Sequence, residues 1–139
     1  MLILDTDHLS ALASERAASV QLLARLANSG ESVATIVVCV EEHVRGWLAR
    51  IARARTGEST VAAYAKFQRA VQDLGRGVIL PFDTAAAAQF EQLRSLRLGV
   101  GTADLRIAAI ALSAGELLLS RNLRDFERVP GLRVEDWLA

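Results

Sequence analysis

Two aspartates stand beside apolar sequence, where a carboxylate needs a chemical reason to be. Asp5 ends the apolar run Leu2-Ile3-Leu4, and the carboxyl end of such a strand is the usual ligand position in an open α/β sheet. Asp104 lies in a predicted helix. The residues three, four and seven positions after it, which share its face of the helix, are Ile107, Ala108 and Ala111. A carboxylate on an apolar helix face must be paired or coordinate a cation, because burying it alone is too costly. The alternative interpretation of Asp104 is a first-turn carboxylate stabilised by the helix dipole.

A third carboxylate comes from the adjacent pair Glu41 and Glu42. Neighbours on a helix point about 100° apart, so only one of them can face a given site. Glu41 borders an apolar stripe, whereas Glu42 shares a face with Gly46. Because glycine in a helix interior costs roughly 1 kcal/mol, Gly46 suggests that space is needed above Glu42. We therefore favour Glu42 over Glu41.

Polar residues also follow the last strong apolar run, Leu117-Leu118-Leu119. Ser120-Arg121-Asn122 would lie beside Asp5 if the first and last of these strands are neighbours in the sheet. Asp5, Asp104 and Asn122 could then converge, and such hard oxygen ligands suit Mg²⁺ or Mn²⁺. A site of this kind activates water for attack on a phosphodiester. Zinc fits poorly, because the two histidines lack zinc-site spacing and are better interpreted as surface residues or supports of the site.

The elements that must position these residues alternate along the chain. The sequence predicts four strands, at 2–4, 34–38, 78–80 and 117–119. It also predicts five helical segments: one capped by Asp7, one in the run Val40–Ile51, one after a break at Gly57-Glu58-Ser59, one capped by Asp83 or Thr84, and one from Thr102 to Ala114. Alternating strands and helices predict a parallel sheet with right-handed crossovers. At 139 residues and 15.0 kDa the whole chain, 1–139, is expected to be one α/β domain.

Composition limits the function classes. No apolar run reaches the roughly 20 residues that span a bilayer, and no leader pattern opens the chain, so a cytoplasmic protein is expected. The single cysteine, Cys39, fits a reducing compartment and is interpreted as a small buried hydrophobe. The formal net charge is zero, so a polyanion must be bound by local patches. A 52% hydrophobic content suggests that a partner covers some apolar surface.

Four short motifs occur in an order that resembles one known family. They are Leu4-Asp5-Thr6-Asp7, Glu42-His43-Val44-Arg45-Gly46, Gly101-Thr102-Ala103-Asp104 with the residues up to Ala109, and Ser120-Arg121-Asn122 with the residues up to Phe126. Together they resemble the PIN-domain ribonucleases, and most of all the VapC toxins of bacterial toxin–antitoxin pairs. The similarity extends over the whole chain. It implies a PIN-like fold with a four- or five-stranded parallel sheet flanked by helices.

The resemblance also implies roles for individual residues. Asp5 and Asp104 match the principal metal-site aspartates of the family, and Glu42 matches its acidic position after the second strand. Asn122 falls where many relatives carry a fourth aspartate, and it could hold a water or orient Asp5 without adding charge. Thr6 and Ser120 are expected to support the metal ligands. The implied activity is Mg²⁺-dependent endonucleolytic cleavage of cellular RNA that inhibits growth and translation.

The implied partners are an RNA substrate and a VapB-like antitoxin, with no membrane. A homodimer, within a larger toxin–antitoxin complex, is also expected, and the helices around Trp47 and Tyr64 are the predicted contact. A run of arginines at positions 45, 50, 53 and 55 either follows RNA phosphates or forms a solvated helix face.

Two other classes compete with this interpretation. Asp5-Thr6-Asp7 also resembles the haloacid dehalogenase phosphatases, but Leu9 stands where that family has Thr or Val, and the only lysine, Lys66, is poorly placed. A catalytically silent PIN-like binding protein is the second alternative. Retention of all three acidic residues argues against it.

Overall fold

Five short strands form one parallel sheet in the computed structural model, which describes residues 1–14 and 16–139. The strands are β1 Leu2–Leu4, β2 Val33–Ile36, β3 Val78–Leu80, β4 Leu117–Leu119 and β5 Val134–Glu135. Their order is β3-β2-β1-β4-β5. The chain therefore adds β2 and then β3 on one side of β1, and β4 and then β5 on the other side. The strand order therefore reverses between β1 and β4. The carboxyl ends of strands at such a point form the ligand crevice of open α/β sheets.

Seven helices complete the part of the chain that the structure describes. They are α1 Thr6–Leu12, α2 Ala17–Ser29, α3 Val37–Arg53, α4 Gly57–Gly75, α5 Thr84–Ser95, α6 Thr102–Ala114 and α7 Leu123–Phe126. The predicted limits of β1, β3, β4 and α6 are confirmed, as is the cap by Asp83, whose side chain accepts a hydrogen bond from the Ala86 amide. The five-stranded form of the predicted sheet is confirmed, because the two-residue β5 pairs with β4.

Three local predictions were wrong. The N-cap of α1 is Asp5 rather than Asp7, because the Asp5 side chain accepts the Thr6 amide. The second strand ends at Ile36, since Val37 and Val38 already belong to α3 despite their β-branched side chains. Gly57 begins α4 instead of breaking a helix. Thr56 caps that helix in a capping box with Ser59, which satisfies the first free amides.

The core lies mainly between the sheet and the α5–α6 pair. Six residues of α6 are buried: Leu105, Ile107, Ala108, Ala109, Ile110 and Ala111. By contrast, none of the described side chains of α4 is fully buried. Large apolar residues on α3 and α4 remain exposed, among them Leu48, Val61, Tyr64 and Val71. No helix in the described part of the chain is long and apolar enough to cross a membrane.

Candidate active site

Asp5 lies at the centre of the site and is held by hydrogen bonds on both carboxylate oxygens. It follows β1, is only 6% exposed, and its amide donates to the Leu119 carbonyl of β4. Oδ2 accepts the Ser120 hydroxyl at 2.6 Å, while Oδ1 accepts the Thr6 amide at 2.6 Å and the Cys39 thiol at 3.4 Å. Ser120 thus contacts Asp5 directly, as a supporting role in the site would require. The carboxylate is fixed before any ligand arrives.

Cys39 is the small buried residue that the sequence predicted, and it also contacts the site. Burial, and then the nearby Asp5 carboxylate, raise the pKa of the Cys39 thiol. The thiol therefore stays protonated and acts as a weak donor to Asp5. This contact was missed because a lone cysteine beside a strand carries no sequence signal for it.

Glu42 faces the site and Glu41 does not. Glu42 is half-buried, and its Oε2 accepts the Thr6 hydroxyl at 2.7 Å. Glu41 is exposed and forms a 2.6 Å ion pair with Arg45 one helical turn on. The orientation inferred for Glu42 is thus confirmed, but the argument from Gly46 is not. A Cβ at Gly46 would meet no atom within 4 Å, so no nearby group requires glycine there.

Asp104 stands in the first turn of α6, half-buried beside three other acidic residues. Its pKa is raised to about 6, chiefly by burial and then by the charges of Asp5, Glu42 and Asp125. A hydrogen bond from Asn122 acts in the opposite direction and lowers the pKa of Asp104. The side-chain amide of Asn122 donates this bond to Asp104 Oδ2 at 3.1 Å. The raised pKa therefore reflects both burial and the negative charges that share this end of the sheet with Asp104.

Asn122 occupies the site but does not orient Asp5 as we expected. Its amide nitrogen donates to Asp104 and, at 3.1 Å, to Asp125 Oδ2, while its backbone N–H donates to the Ser120 hydroxyl. Asp125 is a site residue that the sequence analysis quoted in a motif without assigning a role. Its spacing of three from Asn122, across the first turn of α7, was the available signal.

The acidic side chains share one end of the sheet without already surrounding one point. Among the described residues, no three His, Cys, Asp or Glu side chains are close enough together to bind one metal ion. Apart from the protonated Cys39 thiol, the nearby groups that could bind a metal offer oxygen atoms, from carboxylates, hydroxyls and the side-chain carbonyl of Asn122. This is the donor set of Mg²⁺ or Mn²⁺ rather than of zinc.

The two histidines take different places. His8 is fully buried, so its interpretation as a surface residue was wrong; its Nε2 accepts the Trp137 amide at 3.1 Å, and burial lowers its pKa. His43 is half-buried on α3, where its Nε2 accepts the Trp47 indole N–H at 3.1 Å. Burial, and then Arg50, lower the pKa of His43. A neutral imidazole is consistent with both acceptor roles.

A groove of about 600 Å³ with both polar and apolar side chains in its wall opens beside Glu42, between α1, the start of α2 and α3. Its lining includes Thr6, Asp7, Ser10, Arg16, Glu42, His43, Gly46, Trp47, Arg50, Arg121 and Leu138. A second, mainly apolar cavity of about 310 Å³ lies between α1, the sheet and α4, with Leu9, Leu12, Leu74 and Val78 in its wall.

A parallel sheet with acidic side chains at the point of strand-order reversal matches the class that the motifs indicated. The PIN domain matches residues 2–132, and the chain belongs to the PIN-domain family. Within this family it is similar to curated relatives named VapC. One is "tRNA(fMet)-specific endonuclease VapC" of Salmonella typhimurium, 44% identical over 68 residues, which are 46% of this chain and 52% of the relative. Another is "Ribonuclease VapC2" of Haemophilus influenzae, 42% identical over 47% of this chain and 52% of the relative.

The chain thus spans about half the length of the curated relatives it matches. Solved structures extend the likeness further. The DNA-bound VapBC complex of Salmonella typhimurium contains a chain that is 26% identical, with a TM-score of 0.73 over 98% of this chain and 97% of that one. The fold predicted from the motifs is therefore confirmed over nearly the whole chain.

Proposed function

We propose that this chain is a metal-dependent endoribonuclease that acts as the toxin of a VapBC-type toxin–antitoxin pair. The observation that carries the proposal is the set of carboxylates at the β1–β4 crevice, where burial, and then the charges of Asp5, Glu42 and Asp125, raise the pKa of Asp104 to about 6. Clustered carboxylates with a raised pKa need a cation to offset their repulsion. The names of the VapC relatives support the choice of RNA as the substrate.

The residues that would hold the cation are Asp5, Glu42 and Asp104. Mg²⁺, or Mn²⁺, would supply an activated water and neutralise the charge that develops on the cleaved phosphodiester. Ser120 and Thr6 would fix Asp5 and Glu42 through the hydrogen bonds described above. Asn122 would hold Asp104 and Asp125 apart by donating to both, without adding a fourth charge.

The direct test is cleavage of RNA by the purified chain with Mg²⁺, with Mn²⁺, and with excess EDTA. We expect cleavage in the first two and none in the third, with activity restored when Mg²⁺ is added back. Because one relative is named for tRNA(fMet), this tRNA is the first substrate to test, beside total cellular RNA. Absence of cleavage with any divalent metal would favour the catalytically silent alternative.

A VapB-like antitoxin is the proposed partner. A pocket of clustered carboxylates is complementary to a lysine or arginine side chain, which would exclude the cation. The apolar cavity walled by Leu12, Leu74 and Val78, and exposed residues such as Val61, would be covered by apolar antitoxin side chains. The solved VapBC complex supports such a partner.

Expression in the cytoplasm without the antitoxin should arrest growth, and co-expression with the adjacent small open reading frame should restore it. A homodimer through α3 and α4, where Tyr64 is 55% exposed, belongs to the same proposal. Light scattering of the free chain and of the complex would measure both assemblies. If the adjacent product neither binds the chain nor suppresses its ribonuclease activity, the toxin role fails while the nuclease role stands.

A further inference from the structure

The groove between α1 and α3 contains a preformed pair of an aromatic ring and a guanidinium group. The Arg50 guanidinium carbon lies 4.6 Å from the centroid of the Trp47 ring, over its face. The edge of the same indole meets His43, with ring centroids 6.0 Å apart at 86°, and the indole N–H donates to His43. These contacts hold Trp47 in one orientation. Both Trp47 and Arg50 line the groove.

The position of this pair relative to the carboxylates gives it a role. Glu42 and Trp47 belong to the same helix and line the same groove, so the groove that reaches Glu42 at the edge of the carboxylate site also reaches the indole. Arg121, which precedes Asn122, lines the groove at its β4 side. Neither Arg50 nor Arg121 forms an ion pair with any residue that the structure describes.

We propose that this groove binds single-stranded RNA beside the scissile phosphate, with an unpaired base stacked on the Trp47–Arg50 pair and a phosphate bound by Arg121. The inference deepens the ribonuclease function proposed above and rests on it. Proteins read unpaired bases by stacking them on aromatic rings and guanidinium planes, with cations along the backbone. A groove of about 600 Å³ with these groups offers both.

The same features argue against an apolar peptide as the occupant. The groove wall mixes apolar side chains with hydroxyls and charged groups, and its arginines, Arg16, Arg50 and Arg121, outnumber its acidic residues, Asp7 and Glu42. The separate cavity between α1 and α4 is mainly apolar. Arg45 lies on the same helix but is paired with the exposed Glu41. Of the four arginines considered from the sequence, only Arg50 therefore lines the groove.

The test measures RNA binding apart from cleavage, in an Asp104→Asn background. The probe is fluorescein-labelled, mixed-sequence single-stranded RNA, followed by anisotropy, with its duplex form as a comparison. Trp47→Ala should raise Kd by about tenfold or more, and Trp47→Phe should retain most of the affinity, because stacking on a smaller ring survives. Arg121→Ala should reduce the slope of log K against log salt by about 0.7, because it removes one phosphate contact. Arg50→Ala should raise Kd, because it removes half of the stacking surface. Arg69→Ala, an exposed arginine of α4 outside the groove, should change neither quantity.

A direct readout of stacking comes from indole fluorescence. The chain has two tryptophans, so a Trp137→Phe variant leaves Trp47 as the only emitter. Single-stranded RNA should quench it, and duplex RNA should quench it much less. Parental affinity in folded Trp47→Ala would overturn the inference. Equal loss of affinity and of melting temperature in Trp47→Ala and Trp47→Phe would also overturn it, by assigning Trp47 a structural role.

Three further outcomes separate the proposals. If Trp47→Ala binds RNA normally but changes the oligomeric state or antitoxin binding, the groove belongs to a protein interface and the inference is wrong. If RNA binds and quenches the Trp47 fluorescence as expected but the parent chain cleaves no RNA, the proposed RNA-binding groove is supported and the nuclease function is refuted. If the parent cleaves RNA and Trp47→Ala cleaves with unchanged KM, the nuclease function stands and the groove fails.

Discussion

Asp5 and Asp104 belong to the same site, but the chain surrounds them differently. Asp5 is almost fully buried and receives three donors, from Ser120, Thr6 and Cys39. Asp104 is half-buried and receives one amide, which it shares with Asp125. The pKa of Asp104 is raised to about 6 by burial and by its acidic neighbours. The fold thus fixes one carboxylate and leaves the other with uncompensated charge.

This difference indicates how the site divides its work. A carboxylate that is fully hydrogen-bonded serves as a rigid reference point for a ligand. A carboxylate that is repelled by its neighbours gains most when a cation arrives, because the cation removes that repulsion. We therefore expect Asp5 to set the position of the proposed metal and Asp104 to make its binding depend on pH.

Replacing either aspartate with asparagine should have the largest effect. Each change removes one charge from the proposed cation site and keeps the side-chain volume, so kcat/KM for RNA cleavage should fall at least about 100-fold. Growth arrest in the absence of antitoxin should disappear in parallel. Near-parental cleavage by either purified variant would refute the role assigned to that aspartate.

Thermal melting should then separate the same two variants. In Asp5→Asn the new amide group must face either the Ser120 hydroxyl or the Thr6 amide, both of which donate to Asp5, at a cost of about 1–3 kcal/mol. Asp104→Asn loses only a shared acceptor and relieves repulsion. Its melting temperature at neutral pH should equal or exceed that of the parent. Similar losses in both variants would remove the distinction between them.

Glu42 and Glu41 offer a matched pair for the next largest effect. Glu42→Gln removes a charge beside Asp104, and cleavage should fall by about tenfold or more. Glu41→Gln breaks only an exposed ion pair with Arg45, worth at most about 1 kcal/mol, and should leave cleavage near the parental rate. Both variants are assayed on one RNA at saturating Mg²⁺. The reverse ranking would mean that the wrong neighbour had been placed in the site.

The rate of cleavage should also report the pKa of Asp104. Below a pH of about 6 this carboxyl is protonated and binds a cation poorly, so the rate at low Mg²⁺ should fall toward acid pH by up to about tenfold per unit. Higher Mg²⁺ should move the midpoint to lower pH, because the metal competes with the proton. Asn122→Ala removes the hydrogen bond that lowers the Asp104 pKa, so its midpoint should lie at higher pH. An unchanged midpoint in all conditions would assign the titration to another group.

The sequence predicted the residues of the site better than the contacts between them. Alternating elements predict a parallel sheet but not its strand order, so the meeting of Asp5 with Ser120 depended on the assumption, confirmed by the structure, that β1 and β4 are neighbours. The apolar face beneath Asp104 was readable from helical spacing, and its buried neighbours are confirmed. These features depend on periodicity, which is local and survives without side-chain coordinates.

Contacts that depend on rotamers and on loop geometry were not accessible. Whether Asn122 turns toward Asp5 or Asp104 is decided by its side-chain torsions, and the contact with Asp104 was not among the two roles that the sequence analysis considered. The burial of His8 requires the C-terminal segment at Trp137 to fold over α1, a contact between distant parts of the chain. Gly46 was interpreted as a steric requirement, although the space above it is open.

The smallest expected effect is on stability as a function of pH. Because the folded-state pKa of Asp104 lies above its ordinary value of 3.8, the folded chain holds this proton more tightly than the unfolded chain does. The resulting stabilisation is fully present below about pH 4 and is lost as pH rises through about 6. Asp104 is only half-buried, so solvent screening limits the change to about 1 kcal/mol, or a few degrees in Tm. In metal-free buffer, the Tm of Asp104→Asn should therefore rise relative to that of the parent as the pH increases from about 4 to about 6. A difference that stays constant over this interval would show that Asp104 carries no uncompensated charge, and the contrast with Asp5 would then lie in hydrogen bonding alone.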